Sequence, residues 1–232
     1  MIYLNKISRQ LILLQRNELL SNKQKYLRKR FGRYIFTNFL IHYFQKNDLE
    51  ILTEELFKEE FKTFEKYLPS KVENIMDIGC GLALLGIFIN QKYQNNPNFY
   101  LLDKNTIDTK IKYGFSKDYE SYNDLNETRN ILLKNGLSKE QIYIKNVDQE
   151  ITTDNKINLV ISLKSMGYHY PLENYINLIK STCSTKTVFI FDVFWEKYSL
   201  SDVKKYFNEA KIIYEENGLH SLKRLYCSGL YL

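Results

Sequence analysis

The sequence predicts an α/β fold, in which a mostly parallel sheet carries helices on its faces and follows a helical N-terminal segment. Three observations predict it. In residues 74–90, NIMDIGCGLALLGIFIN, an apolar run is broken by Gly79 and Gly81, as is typical of a strand, a tight turn and a helix. Short β-branched runs then alternate with helical patterns, which favours parallel strands joined through helices. Residues 1–68, in contrast, carry helical patterns only.

Composition limits the class of protein. A chain of 232 residues with 44% hydrophobic residues can build one large domain, or one domain plus an extension. Its three cysteines are an odd number without the paired spacing of a metal site, which favours a reducing compartment and predicts no metal. Because no secretory signal and no membrane-spanning run is evident, we expect a cytoplasmic protein.

Positive charge is concentrated near the N-terminus. Residues 1–46 contain ten Lys and Arg and one acid, Glu18, so this part has a net charge of +9 within a total of +6. Such asymmetry indicates an anionic contact, whether nucleic acid, a membrane surface or a phosphorylated substrate, although solubility alone would also explain it. No transmembrane segment accompanies this charge.

The N-terminal region is predicted to be helical up to Pro69. Periodicity predicts helices over residues 7–20 and 34–44, and a longer one that begins after Asp48 as N-cap and continues to Tyr67. We therefore divide the chain into a helical cap, residues 1–68, and a main domain, residues 69–232.

Between the first two helices lies a basic segment with interleaved aromatic residues, 21–34. Basic and aromatic side chains together can bind phosphates and stack bases. The favoured interpretation is that Tyr26, Phe31 and Tyr34 face the core while the cations are solvated.

The main domain contains enough strands for a seven-stranded sheet with an antiparallel terminal pair. After the glycine turn, the patterns predict strands at 98–103, 141–146, 157–163, 187–193, 211–214 and 221–230, and helices at 126–134, 172–181 and 202–209. The segment 104–123 is longer than a minimal connection and could line a substrate site or form a surface loop.

The glycine turn resembles the first motif of a known family. A dinucleotide fingerprint would need a third glycine at position 84, which is Leu. Residues 77–83, Asp-Ile-Gly-Cys-Gly-Leu-Ala, instead resemble the first motif of class I S-adenosylmethionine-dependent methyltransferases, with Ala83 at the last glycine. A second acidic residue expected by the family ends the next strand at Asp103, 26 residues after Asp77. The resemblance implies a Rossmann-like fold, S-adenosylmethionine as cofactor and S-adenosylhomocysteine as product.

The same resemblance implies a set of cofactor-binding residues. Asp103 would accept hydrogen bonds from the ribose hydroxyls, and Asp148 would lie near the adenine amino group. The full predicted set is Asp77, Gly79, Cys80, Gly81, Asp103, Lys104, Asp148 and Ser162.

The predicted active site follows the strand at 157–163. Residues 164–171, Lys-Ser-Met-Gly-Tyr-His-Tyr-Pro, stand where family members place the groups closest to the transferred methyl. His169 is the best candidate for a general base, because its ordinary pKa is near neutrality. Further candidates are Tyr168 and Lys164 to orient the acceptor, Tyr170 to bind it, and Arg30, Arg33 and Tyr34 as a lid that contacts substrate.

Three functions remain compatible with these patterns. The first is methylation of a small molecule, more readily at oxygen than at nitrogen, on a hydroxylated or sugar-like acceptor. The alternative is an RNA or DNA methyltransferase that holds the polynucleotide on the basic N-terminal helices. The third is a cofactor-binding protein without catalysis.

Overall fold

The computed structural model describes residues 1–43, 46–94, 96–106, 123–147, 149, 153, 155–216 and 221–232. Within these ranges the secondary structure consists of the following elements: α1 (Lys6–Gln15), α2 (Asn22–Phe31), α3 (Arg33–Tyr43), α4 (Lys46–Lys62), β1 (Asn74–Ile78), α5 (Leu85–Lys92), β2 (Asn98–Asp103), α6 (Leu125–Lys134), β3 (Ile142–Asn146), β4 (Leu159–Ser162), α7 (Ile176–Thr182), β5 (Val188–Phe194), α8 (Leu200–Val203), β6 (Phe207–Glu216) and β7 (Leu222–Leu230).

The seven strands form one sheet in the order β3-β2-β1-β4-β5-β7-β6. The first five are parallel, whereas β7 runs antiparallel to both β5 and β6. The predicted Rossmann-like sheet with an antiparallel terminal pair is therefore confirmed. Successive crossovers reverse direction between β1 and β4, which is where open α/β sheets bind ligands, at the carboxyl ends of the strands.

Alternation along the strands sets which side chains meet the N-terminal helices. Ile75 belongs to the apolar core on the face covered by these helices, whereas Met76 and Ile78 belong to the core on the opposite face. Because side chains two residues apart in a strand share a face, Asp77 also faces the N-terminal helices. By the same alternation Asp192 of β5, two residues beyond Ile190, does so too.

The N-terminal helices share one apolar core with the sheet. Leu11 of α1 and Phe64 after α4 are buried in the same cluster as Ile161 of β4. The chain start is held to α4, because the Leu4 N–H donates to Glu50 Oε1 at 2.9 Å and the Ile2 N–H donates to Glu54 Oε2 at 2.7 Å. The boundary at residue 68 stays a prediction.

Several predicted helix ends differ from the observed ones. The first helix ends at Gln15, where a short 3₁₀ turn follows over Asn17–Leu19. Asp48 lies in the first turn of α4 and is not its N-cap, and α4 ends at Lys62.

The helix predicted over 202–209 is wrong in its second half. The observed α8 ends at Val203, and β6 begins at Phe207, which pairs with Leu230 of β7. Pairing along the whole of β7 satisfies the backbone of β6, and this tertiary interaction overrides the local helical pattern.

The prediction that Tyr26, Phe31 and Tyr34 face the core is wrong for Tyr26 and Phe31, whereas Tyr34 is half-buried. Tyr26 and Phe31 of α2 are 64% and 55% exposed, whereas Arg28 is 8% exposed. The reason is that Arg28 Nη1 donates to the Leu13 carbonyl at 2.7 Å and so supplies a donor at the end of α1. In the described part of the chain, no helix has the length and apolarity required to cross a bilayer.

Candidate active site

The glycine turn between β1 and α5 folds back onto the end of β2. Gly79 and Gly81 have φ of +73° and +54°, conformations that glycine adopts without a steric penalty. The N–H groups of Gly79 and Cys80 both donate to the Leu102 carbonyl, at 2.7 and 3.2 Å. Ala83, at the position of the family's last glycine, also has a positive φ of +53°, which costs about 1–2 kcal/mol for a residue with a Cβ.

Because Gly79 and Gly81 have no side chain, two other segments of the protein lie close to the turn. A Cβ on Gly79 would overlap the Ser165 hydroxyl of the loop that follows β4. A Cβ on Gly81 would lie 2.7 Å from Oε1 of Gln15, the last residue of α1. The space that the two glycines leave beside the turn is therefore occupied by the loop after β4 and by the end of α1.

Asp103 at the end of β2 is held by backbone donors. Its Oδ2 accepts from the Gly81 N–H at 2.6 Å, and its Oδ1 accepts from the Lys104 N–H at 2.7 Å. Burial raises its pKa to about 6, and the two backbone hydrogen bonds oppose that rise. A side-chain hydrogen bond from Asn123 also opposes the rise. A carboxylate has about four acceptor positions, so one remains on Asp103 for a further donor.

Asp77 in β1 has a different environment. Burial, with a smaller contribution from the charge of Asp103, raises its pKa to about 7, while the Arg16 guanidinium acts in the opposite direction. Among the described residues, none donates a hydrogen bond to this carboxylate. Such a half-buried carboxylate is suited to a cationic ligand group.

The residues at and just beyond the end of α1 cover the turn. Gln15 Oε1 accepts from the Leu82 N–H at 3.4 Å, and Arg16 forms a two-pronged ion pair with Glu60 of α4, at 2.8 and 3.2 Å. Lys164, with φ of +57°, forms an ion pair with Glu18 from the other side.

We call residues 15–18 the covering segment. The cavity left beneath it is about 30 Å³, which is the volume of one water molecule. It is lined by Arg16, Phe57, Asp77, Gly79, Cys80, Leu84, Leu85, Ile161 and Leu163.

The loop after β4 is fixed by its own backbone. The Ser165 carbonyl accepts from the N–H groups of Tyr168, His169 and Tyr170, at 3.0, 2.8 and 3.0 Å. Gly167 has φ of +83°, and a Cβ there would lie 2.9 Å from the Asp192 carbonyl. The loop therefore presents three consecutive rings from a rigid support.

Two pairs of predicted site residues come together at this loop. The rings of Tyr168 and His169 meet edge to face at 4.9 Å, and His169 is exposed. Burial raises the pKa of Tyr168, whose ring also contacts Phe194. Tyr170 lies across the turn from Lys104, whose Nζ is 6.0 Å from the ring centroid.

Other predicted residues have structural contacts. The Ser162 hydroxyl is buried, donates to the Ile78 carbonyl at 2.7 Å and accepts from the Met166 N–H at 2.9 Å. These bonds join β1 to the loop after β4, and contact of Ser162 with a cofactor stays a prediction. Burial raises the pKa of the Cys80 thiol well above its ordinary value, so this residue lines the site as a neutral group.

The predicted lid residues lie on α2 and α3. Arg33 donates to the Leu14 carbonyl and thereby positions the covering segment, Tyr34 is half-buried, and Arg30 is exposed on α2. Their contact with substrate stays a prediction. Asp148 lies outside the described residues, as does most of the 104–123 segment.

A buried ionic network that we did not predict lies beside the site. Asp192 of β5 accepts from Arg224 of β7 at 2.7 and 3.0 Å and from the Lys164 N–H at 3.1 Å. Arg224 also donates to Thr63 Oγ1 at 2.6 Å, and its Nη2 lies 3.5 Å from Glu60 Oε1. The available sequence signal was a lone charge, Asp192, within an apolar strand, whereas Arg224 stands next to Lys223 and gave no such signal.

A second, larger cavity of about 280 Å³ lies at the carboxyl ends of β2 and β3. Its lining is mostly polar and consists of Asn105, Leu125, Asn126, Arg129, Ile144, Asn146 and Gln149. In the described ranges, His, Cys, Asp and Glu side chains do not gather in threes as a metal ion would require.

Comparison of the sequence with family models and with curated proteins gave no match. Solved structures with a similar fold include a proposed O-methyltransferase of Nostoc punctiforme PCC 73102, 12% identical over 71% of this chain and 55% of that chain, with a TM-score of 0.49. The M1A22 tRNA methyltransferase TrmK of B. subtilis is 16% identical over 73% and 64% of the two chains, with a TM-score of 0.48.

A third similar structure is the precorrin-6y C5,15-methyltransferase of Geobacter metallireducens GS-15, 14% identical over 72% of this chain and 85% of that chain, with a TM-score of 0.46. This chain spans about half of the Nostoc protein. All three TM-scores are below 0.5, so the fold assignment depends on the strand order and pairing described above.

Proposed function

We propose that this protein is an S-adenosylmethionine-dependent methyltransferase. The observation that carries the proposal is the pair of half-buried carboxylates with raised pKa, Asp77 and Asp103, beside a glycine turn at the switch point of the sheet. Asp103 retains an acceptor position, which suits a hydroxyl of a ribose. Asp77 has no donor among the described residues, which suits an ammonium group such as that of a methionine moiety.

The residues present fit the cofactor in chemistry, and the covering segment occupies part of its space. A cavity of about 30 Å³ is far smaller than a nucleoside ligand, so Gln15 and Arg16 would have to move when the cofactor enters. The polar cavity beside Asn105 and Asn146 is of a size and position suited to the adenine end. When bound, the cofactor supplies an electrophilic methyl group on a sulfonium.

For the acceptor we infer a hydroxyl of a small, hydroxylated or sugar-like molecule. The loop after β4 supports this inference, because it combines a rigid backbone with Tyr168, His169 and Tyr170 at the carboxyl end of β4. His169 would accept the hydroxyl proton, and its exposed ring is accessible to an acceptor from solvent. Tyr168 and Tyr170 would orient the acceptor. Lys164 would assist once its ion pair with Glu18 opens.

Calorimetric titration of S-adenosylmethionine and S-adenosylhomocysteine tests the cofactor site. Asp103→Ala removes the acceptor of a charge-assisted hydrogen bond that contributes about 1.5–3 kcal/mol, so we expect affinity to fall roughly 10- to 100-fold. Asp48→Ala, an exposed carboxylate on α4, is the matched control and should bind as the wild type does.

If the wild type does not bind, the titration is repeated with Gln15→Ala, which removes the side chain nearest Gly81. Binding by this variant would show that the covering segment blocks the site. Absence of binding in both proteins would refute the proposed cofactor.

Turnover by His169→Ala tests the proposed base. On an acceptor found by screening hydroxylated metabolites first and RNA second, we expect turnover to fall by about 100-fold with cofactor affinity unchanged. His42→Ala, another exposed histidine, is the control. Unchanged turnover in His169→Ala would remove this residue from the mechanism.

A further inference from the structure

The exposed surface of α2 and α3 combines apolar and basic side chains. Leu27 and Phe31 lie one helical turn apart on α2, and Ile35 and Phe39 lie one turn apart on α3. Their exposed fractions are 36%, 55%, 73% and 63%. Lys23 and Arg30, four residues before and three after Leu27, are exposed cations on the same side of α2. We call these six residues the α2–α3 face.

The α2 helix is attached to the protein through polar contacts. Its one buried residue is Arg28, which donates to the Leu13 carbonyl and to Asn17 Oδ1. Arg33, at the start of α3, donates to the Leu14 carbonyl. Because α1 has no basic residue in its own last turn, these two arginines satisfy its terminal carbonyls from outside.

The consequence is an inverted amphipathic helix. A surface helix normally turns its apolar side chains toward the core and its charges toward solvent. Here an arginine is turned inward, whereas Leu27 and Phe31 are turned outward. The parts of Leu27 and Phe31 that stay in water, 36% and 55% of their surfaces, do not add to the stability of the fold, which is expected of a surface that binds a partner.

Charge identifies the chemistry of that partner. Residues 19–47 contain no Asp or Glu, and none of the described residues forms an ion pair with Lys23, Lys25, Lys29 or Arg30. A second copy of the same face would bring like charges together, which opposes self-association. The partner must therefore be anionic.

The apolar residues distinguish between two anionic partners. A single-stranded polynucleotide would pair with the cations and stack on Tyr26 and Phe31, but it offers no apolar phase for Leu27 and Ile35. An anionic bilayer offers headgroups to the cations and acyl chains to the apolar side chains at the same time. We propose that the α2–α3 face docks this protein on an anionic lipid surface.

Docking would hold the candidate active site near that surface. Arg28 and Arg33 attach the face to the Leu13 and Leu14 carbonyls, directly before the covering segment. An acceptor anchored in the lipid would then be presented close to the turn. Lipid binding does not require that the proposed methyl transfer be correct, so the two can fail separately.

Flotation of the full chain with vesicles tests the proposal. We expect binding to vesicles of equal parts phosphatidylglycerol and phosphatidylcholine, and little binding to phosphatidylcholine alone. Two double variants address the two components of the face: Ile35→Ser with Phe39→Ser, and Lys23→Glu with Arg30→Glu. Because a cation near an anionic surface contributes roughly fivefold in affinity, the charge reversal should weaken binding by about 25-fold or more. The apolar variant should weaken binding by roughly tenfold or more.

Matched control variants lie elsewhere on the surface. Ile7→Ser with Leu133→Ser removes two exposed apolar residues, and Lys180→Glu with Lys186→Glu reverses two exposed cations. Both should bind vesicles as the wild type does, and circular dichroism should show all four variants folded. The proposal is overturned if the wild type does not bind anionic vesicles, or if the control variants lose as much vesicle binding as the face variants. It is also overturned if a single-stranded RNA oligonucleotide binds the face while the vesicles do not.

Discussion

Two regions at the carboxyl edge of the sheet bury carboxylates in opposite ways. Asp192 in β5 is fully buried and lies directly opposite Arg224 of β7 in the strand register. The two side chains are joined by hydrogen bonds of 2.7 and 3.0 Å. Asp77 in β1 is partly buried and faces Arg16, which is already engaged by Glu60, and its pKa is raised to about 7.

The difference separates a charge that the fold itself compensates from a charge that we propose is kept for a ligand. Burying an ion is tolerated when a partner of opposite sign shares the low-dielectric space, as at Asp192. At Asp77 and Asp103 burial outweighs the nearby cations Arg16 and Lys104, so each group holds its proton to a higher pH. Perturbed carboxylates in a cleft are typical of functional sites.

The largest expected effect is on the paired region. Arg224→Leu would leave Asp192 buried without its cation, and we expect the free energy of unfolding to fall by about 3–5 kcal/mol. Urea denaturation at neutral pH measures this quantity. Lys211→Leu, which removes an exposed cation from the neighbouring β6, should change it little.

A double variant sharpens that result. Adding Asp192→Asn to Arg224→Leu removes the uncompensated charge and should restore part of the lost stability. If Arg224→Leu is tolerated as well as Lys211→Leu, then Asp192 does not depend on its partner, and the distinction between the two regions fails.

Local patterns were sufficient to predict the region of Asp77 and Asp103. The apolar strand, the two glycines and the acidic strand end all lie within residues 74–103, so each can be predicted from residues close to it in the sequence. The strand count followed from the same kind of local alternation, and the observed sheet confirms it. The loop after β4 was placed correctly at the carboxyl edge because the strand before it is continuously apolar.

The paired region could not be predicted in the same way. Arg16 and Glu60 are 44 residues apart, and Glu60 and Arg224 are 164 residues apart, so no local pattern links them. The orientation of α2 was predicted wrongly for a related reason. The orientation of α2 is set by the hydrogen bond from Arg28 to the end of α1, which turns an arginine inward instead of the apolar side chains. That bond depends on how α1 and α2 pack, which the local sequence does not show.

A smaller effect, with a distinctive pH dependence, is expected at Asp77. Its raised pKa means that the folded state binds this proton more tightly than the unfolded state, whose value is near 3.8. Stability from the bound proton is therefore fully present below about pH 4 and is lost as the pH rises to about 7. Asp77→Asn imitates the protonated form, so the variant should match the wild type in acid and exceed it above neutrality. About three pKa units at about 1.4 kcal/mol each correspond to roughly 4 kcal/mol. Because Asp77 is partly exposed, solvent screening reduces this value, and we expect about 1–3 kcal/mol.

Urea denaturation of Asp77→Asn between pH 4 and pH 8 measures this difference, with Asp48→Asn on exposed α4 as the control. The same variant should bind S-adenosylmethionine less tightly, because a neutral amide cannot compensate the ammonium group that we assign to this position. Greater stability together with weaker binding is the behaviour expected of a charge that is kept for a ligand at a cost to the fold. If the free energy of unfolding of the variant instead has the same pH dependence as that of the wild type, the ionisation of Asp77 does not affect stability. Asp77 and Asp192 would then differ in their hydrogen-bond partners and not in the cost of their charge.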